Sequence, residues 1–106
     1  AIIGTYTNQQ FERLHLHPRD FGFEGKNIAF ESAASTLNQM QATLDGQLSE
    51  FMQSTLWNGG FYLWRCGVCD SLEAGIAQAS ELLTQGLAKQ KLAELQRATT
   101  PVSLTR

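Results

Sequence analysis

Charged residues are scarce in this sequence of 106 residues: they make up 17% of it, against about 25% in an average soluble protein. With 8 Lys and Arg, 10 Asp and Glu and a net charge of −2, the chain has neither a polybasic arm nor an acidic tail. We therefore expect no binding of nucleic acid. The apolar runs are short, so we expect no membrane-spanning segment. The length fits one domain with a single hydrophobic core.

Cysteine is also scarce. Cys66 and Cys69 are the only two cysteines, which is too few for the disulfide framework of a small secreted protein. The chain opens at Ala1 without the basic and long apolar stretches of a signal peptide. We expect a cytoplasmic protein, with a secreted protein as the alternative.

The apolar pattern predicts an all-α fold in a single helical domain, 1–106. Residues 1–26 are predicted to be an irregular arm that folds back onto the helices, because Pro18 and two glycines interrupt it. A capping-box form at 7–10 allows a short helix within the arm. Apolar residues then recur at intervals of seven from Phe30 to Phe51, which predicts an amphipathic helix over 27–56.

A second helix is predicted after an Asn-Gly-Gly turn at 57–60. Apolar residues from Tyr62 to Leu83 step by three or four, which predicts a helix over 61–98, either continuous or broken near residue 86. Pro101 ends it, and 99–106 is predicted to be a tail. The two helices form a long antiparallel hairpin, which we expect to be completed into a three- to four-helix bundle within the chain or by dimerisation.

This architecture favours a small non-enzymatic interaction protein of the chaperone, adaptor, secretion-partner or regulator type. It would bury an apolar helix face on itself or on another helical protein, and no cofactor is expected. The predicted interaction face consists of Phe30, Leu37, Met40, Leu44, Phe51, Leu72, Ile76 and Leu83.

The cysteine pair supports an alternative. The sequence from Phe61 to Cys69 resembles the active-site stretch of thioredoxin-like proteins, and 100–102 (Thr-Pro-Val) resembles their cis-proline segment. The resemblance implies a thiol redox protein with Cys66 as nucleophile and Cys69 as resolving thiol. The same two thiols also fit a helix stripe as small buried apolar groups.

A zinc site is a further alternative. His15 and His17, together with Cys66 and Cys69, make up a sufficient tetrahedral ligand set for zinc. Such a site would pin the N-terminal arm to the helices.

The predicted turn, with Trp57, Gly59 and Gly60, carries one more resemblance. A Trp-x-Gly motif between two helices in a chain of this length is similar to the WXG100 family of small secreted helical hairpins. That resemblance implies a secreted, dimeric helical hairpin. The other interpretation is a turn between helices with an aromatic side chain packed over it.

Overall fold

The computed structural model describes residues 1–24 and 28–99. The chain begins with a β-hairpin, strands β1 (Ile2–Thr7) and β2 (Gln10–His15), followed by a short 3₁₀ helix, Pro18–Phe21. Four helices follow: α1 (Ala33–Leu44), α2 (Glu50–Arg65), α3 (Leu72–Thr84) and α4 (Leu87–Thr99). None of the helices in the described part is long and apolar enough to cross a membrane.

The β-hairpin shows that the prediction of an all-α fold with an irregular arm is wrong. β1 and β2 pair antiparallel, with Thr7 opposite Gln10. The two residues between them, Asn8 and Gln9, both have positive φ, at 52° and 67°. Two consecutive left-handed residues make the tight turn whose twist suits a hairpin. The capping-box pattern at 7–10 is therefore a strand-to-strand turn and starts no helix.

The predicted helix over 27–56 and the predicted turn at 57–60 are also wrong. The chain turns earlier, after α1, where Gly46 adopts φ +81°. Ser49 then caps a new helix by accepting a hydrogen bond from the backbone N–H of Met52. α2 runs through Asn58, Gly59 and Gly60 without interruption. The start of the predicted helix at residue 27 lies outside the described residues.

The predicted helix over 61–98 consists of three pieces. α2 ends at Arg65, α3 begins at Leu72 behind the N-cap Ser71, and a turn at Gly86 with φ +76° leads into α4. The sequence left this helix either continuous or broken near residue 86, and the chain turns there; it turns as well at 66–71, where no break was predicted. The tail prediction falls almost wholly outside the described residues, which end at Thr99 with α4.

Two glycines bring α2 and α3 into backbone contact. A Cβ on Gly75 would collide with the carbonyl oxygen of Gly60, and a Cβ on Gly60 would lie 2.7 Å from the backbone nitrogen of Ile76. Glycine at these two positions therefore allows the helices to cross closely, and it does not form a turn. The buried apolar core surrounds this crossing and consists of Met52, Leu72, Ala79 and Leu83.

Candidate functional site

The Cys66–Cys69 loop connects α2 to α3. Cys66 is the C-cap of α2 and Gly67 follows with φ +81°, so that the N–H of Val68 bonds back to the carbonyl of Leu63. This is a Schellman helix end. Both cysteines are free; Cys66 is exposed and Cys69 is half-buried. The pair therefore follows a helix end and does not begin a helix, unlike the thioredoxin-like arrangement.

The four candidate zinc ligands do not come together. His15 is the last residue of β2 and His17 precedes the 3₁₀ helix, and both are exposed. Within 1–24 and 28–99, no three His, Cys, Asp or Glu side chains are grouped so that they could hold a metal ion. The Thr-Pro-Val segment at 100–102 lies outside the described residues.

The predicted interaction face is divided between surface and core. Phe30, Leu37 and Met40 are exposed, whereas Leu72 and Leu83 are buried in the α2–α3 core. The remaining three, Leu44, Phe51 and Ile76, are half-buried. The eight residues therefore do not form one exposed surface, because five of them are buried or half-buried.

Trp57 anchors the segment that follows the hairpin. It is a half-buried residue of α2, and its ring lies 5.5 Å from that of Phe21 and 6.1 Å from that of Phe23, centroid to centroid. Such tilted aromatic pairs stabilise a fold by more than the burial of their apolar area alone would. The expectation that the arm folds back onto the helices is confirmed for this segment.

An apolar groove crosses α2, α3 and α4. Its first part encloses about 340 Å³ between α2 and α3, and its second about 630 Å³ between α3 and α4. Leu82 and Ala88 line both parts, and Cys66 and Tyr62 lie along the first. The lining is mostly apolar, and its charged residues in the second part are Lys91 and Glu94, which pair with each other.

Two exposed ion pairs involve α4. The Nζ of Lys89 lies 2.5 Å from a carboxylate oxygen of Asp45, which links α4 to the end of α1. Lys91 donates to Glu94 at 2.8 Å within the helix, and this hydrogen bond, with the charge of the carboxylate, raises the pKa of Lys91.

Three large apolar residues of the hairpin, Ile2, Tyr6 and Phe11, are 67%, 72% and 70% exposed. The arm over 1–26 was expected to fold back onto the helices, but these three side chains of it remain exposed. The sequence contains a signal for apolar side chains on both faces of a strand: Ile2 and Ile3 are adjacent, and successive residues of a strand point to opposite faces.

Comparison with known proteins gives consistent matches. A family model described as "Glycosyl transferase family, a/b domain" matches residues 1–89. The chain is 33% identical over 98 residues to a protein from Laribacter hongkongensis named anthranilate phosphoribosyltransferase. Proteins of the same name from Chromobacterium violaceum and Aromatoleum aromaticum are 32% and 29% identical to it, over 98 and 97 residues.

These matches cover 89–90% of this chain but only 28–29% of each relative, so the chain spans less than a third of the length of the curated relatives it matches. They contradict the prediction of a non-enzymatic helical interaction protein, since the matched proteins are named as transferases. The thiol redox and WXG100-like alternatives are wrong for the same reason. Because the family model covers most of its length, the chain belongs to the glycosyl transferase family, in the part described as the a/b domain.

Proposed function

We propose that this chain forms part of a transferase that attaches a phosphoribosyl group to an aromatic amine. The observation that carries the proposal is the family match over residues 1–89, together with relatives whose name specifies both the transferred group and its acceptor. Anthranilate, or an amine of the same chemistry, is the proposed acceptor.

The proposed role of these residues is architectural. Transfer of a phosphorylated sugar needs charged or metal-bound groups around the phosphates. In 1–24 and 28–99, no cluster of metal-ligating side chains occurs. We therefore assign the reacting groups to the remaining 71–72% of a family-length protein, which this portion would support.

Other predictions from the sequence stay proposals. They are association with a second copy or another helical protein, the absence of nucleic-acid and membrane partners, and a cytoplasmic location.

A chimera tests the proposed function. Residues 1–99 of this chain would replace the matching segment of the Laribacter hongkongensis enzyme, and transfer would be followed by the loss of anthranilate fluorescence in the presence of a phosphoribosyl donor. We expect turnover by the chimera and none by the 106-residue chain alone. A folded chimera without turnover, or turnover by the isolated chain, would contradict the proposal.

A further inference from the structure

An Asn-Gly pair, Asn58-Gly59, lies inside α2. It is the only such pair in the sequence, since Asn8, Asn27 and Asn38 are followed by Gln or Ile. Asparagine is a chemically labile residue, and it is most labile before glycine, which has no side chain to shield its backbone nitrogen. The same pair normally forms an exposed turn. Here a labile pair lies within a helix that packs against α3.

The reaction to which this pair is prone is deamidation through a cyclic imide. Hydroxide removes the proton of the Gly59 backbone N–H, and the nitrogen attacks Cγ of Asn58. The new N–Cγ bond displaces the side-chain nitrogen, which leaves as ammonia after taking a proton from water, so that hydroxide is regenerated. Water then adds to either carbonyl of the imide and opens the ring. The product has aspartate or isoaspartate at position 58.

The helix opposes each part of this reaction. Within α2 the N–H of Gly59 donates to the carbonyl of Thr55, so its proton is held. The leaving nitrogen of Asn58 donates to the carbonyl oxygen of Ser54 at 2.9 Å and to its hydroxyl oxygen at 3.4 Å. A helical ψ of about −42° also keeps the nitrogen of Gly59 away from Cγ. The Asn58 side chain is exposed, so water already surrounds it and only the backbone has to be released.

We propose that Asn58 is a latent deamidation site that reacts only when α2 and α3 separate. The next residue but one, Gly60, is buried and in backbone contact with Gly75 of α3. The turn of α2 that carries Asn58 therefore cannot unwind while the crossing persists. Deamidation is slow compared with the refolding of a small domain, so its rate follows the fraction of molecules in which the helices are apart.

The isoaspartate product makes the separation irreversible. Isoaspartate continues the chain through its side-chain carbon and so inserts an additional atom into the backbone of α2. The hydrogen bonds of an α-helix join residues at a fixed spacing, so the inserted atom interrupts them at this point. Gly60 would no longer lie opposite Gly75, and the close crossing could not form again. A molecule that has deamidated is thereby kept from refolding.

The first experiment measures deamidation by mass spectrometry in the 106-residue chain and in a synthetic peptide spanning 54–62. The peptide is too short for a stable helix and gives the rate of the unprotected pair in the same buffer. The full chain should react at least about a hundredfold more slowly, because the unfolded fraction of a stable domain is small. Gly59→Ala in the peptide should slow the reaction strongly, since the added Cβ shields the nitrogen. Equal rates in chain and peptide would overturn the proposal.

The second experiment weakens the crossing from α3 without touching the reacting pair. Gly75→Ala should raise the rate in the full chain about 30-fold, and the milder Ser71→Ala, which removes the N-cap of α3, about fivefold. If Gly75→Ala does not fold, the Ser71→Ala chain still provides the measurement. A variant with a lowered Tm and an unchanged rate would show that α2 frays locally at Asn58, and would overturn the proposal.

The third experiment examines the product. The isoaspartate form is separated by ion exchange from a chain that was deamidated in urea, and the urea is then removed. We expect its circular dichroism to show the loss of helix, whereas Asn58→Asp, which has the same charge on an ordinary backbone, should keep the spectrum of the parent. An isoaspartate form that regains the parent spectrum overturns the irreversible step. Loss of helix in Asn58→Asp would assign the effect to charge and overturn it too.

Discussion

Replacing Gly75 with alanine tests the central feature of the fold, the backbone contact between α2 and α3. The new methyl group would collide with the carbonyl oxygen of Gly60, a backbone atom that cannot rotate away. The helices would have to separate, which loosens the packing of the buried Leu72 and Ala79 on either side. Overpacking of this kind costs about 3 kcal/mol at the upper end of the usual range.

The alanine also brings a gain, which must be subtracted. In a helix interior alanine is favoured over glycine by about 1 kcal/mol. The net effect of Gly75→Ala is therefore a loss of about 2 kcal/mol, which lowers Tm by roughly 8–16 °C in a domain of this size. Thermal unfolding followed by circular dichroism at 222 nm measures it.

Gly59→Ala is the matched control. Its Cβ would lie 3.7 Å from that of Ala79, an ordinary contact distance, so only the helix-propensity gain applies. We expect Tm to stay the same or to rise. The reasoning is refuted if Gly75→Ala is as stable as the parent chain, or if Gly59→Ala is destabilised to the same degree.

Three further predictions concern the core, a cap and an ion pair. Met52→Ala should lower the free energy of unfolding, measured in urea, by about 2–5 kcal/mol, because Met52 is 1% exposed. Met40→Ala is the control and should cost far less, because Met40 is 48% exposed. Equal losses in the two variants would show that the core has been assigned to the wrong residues. Ser71→Ala should cost about 1 kcal/mol through loss of the N-cap of α3, and Ser71→Asp should retain the stability. The raised pKa of Lys91 implies a contribution to stability that is fully present below the ordinary lysine pKa and is lost as the pH rises through the pKa of Lys91 in the folded protein. Glu94→Gln should return the pKa of Lys91, measured by NMR, towards its ordinary value.

The apolar stripe of α3 could be predicted from the sequence, and the helix breaks could not. Leu72 and Leu83 were placed on a helix stripe and are buried. Ser49 and Gly46, however, lie within a pattern of seven that continues across them, so the periodicity concealed the end of α1. The spacing of apolar residues indicates which face of a helix is buried. It does not reveal a break in the helix when the same spacing continues on the other side of the break.

The glycines and the hairpin were misinterpreted for local reasons. Asn58, Gly59 and Gly60 have the composition of a turn, but the glycine that α2 needs at its contact with α3 has the same appearance in sequence. The hairpin turn lacks the usual Asn-Gly and uses Asn8-Gln9. The transferase family was not predicted because neither resemblance found in the sequence, to thioredoxin-like proteins or to the WXG100 family, points to a transferase.

The close crossing of α2 and α3 also determines how the chain opens. Two helices whose backbones touch cannot slide apart separately, so their amide hydrogens should exchange with solvent in one cooperative event at the highest free energy in the chain. α4 has no buried residue and should open on its own at far lower cost.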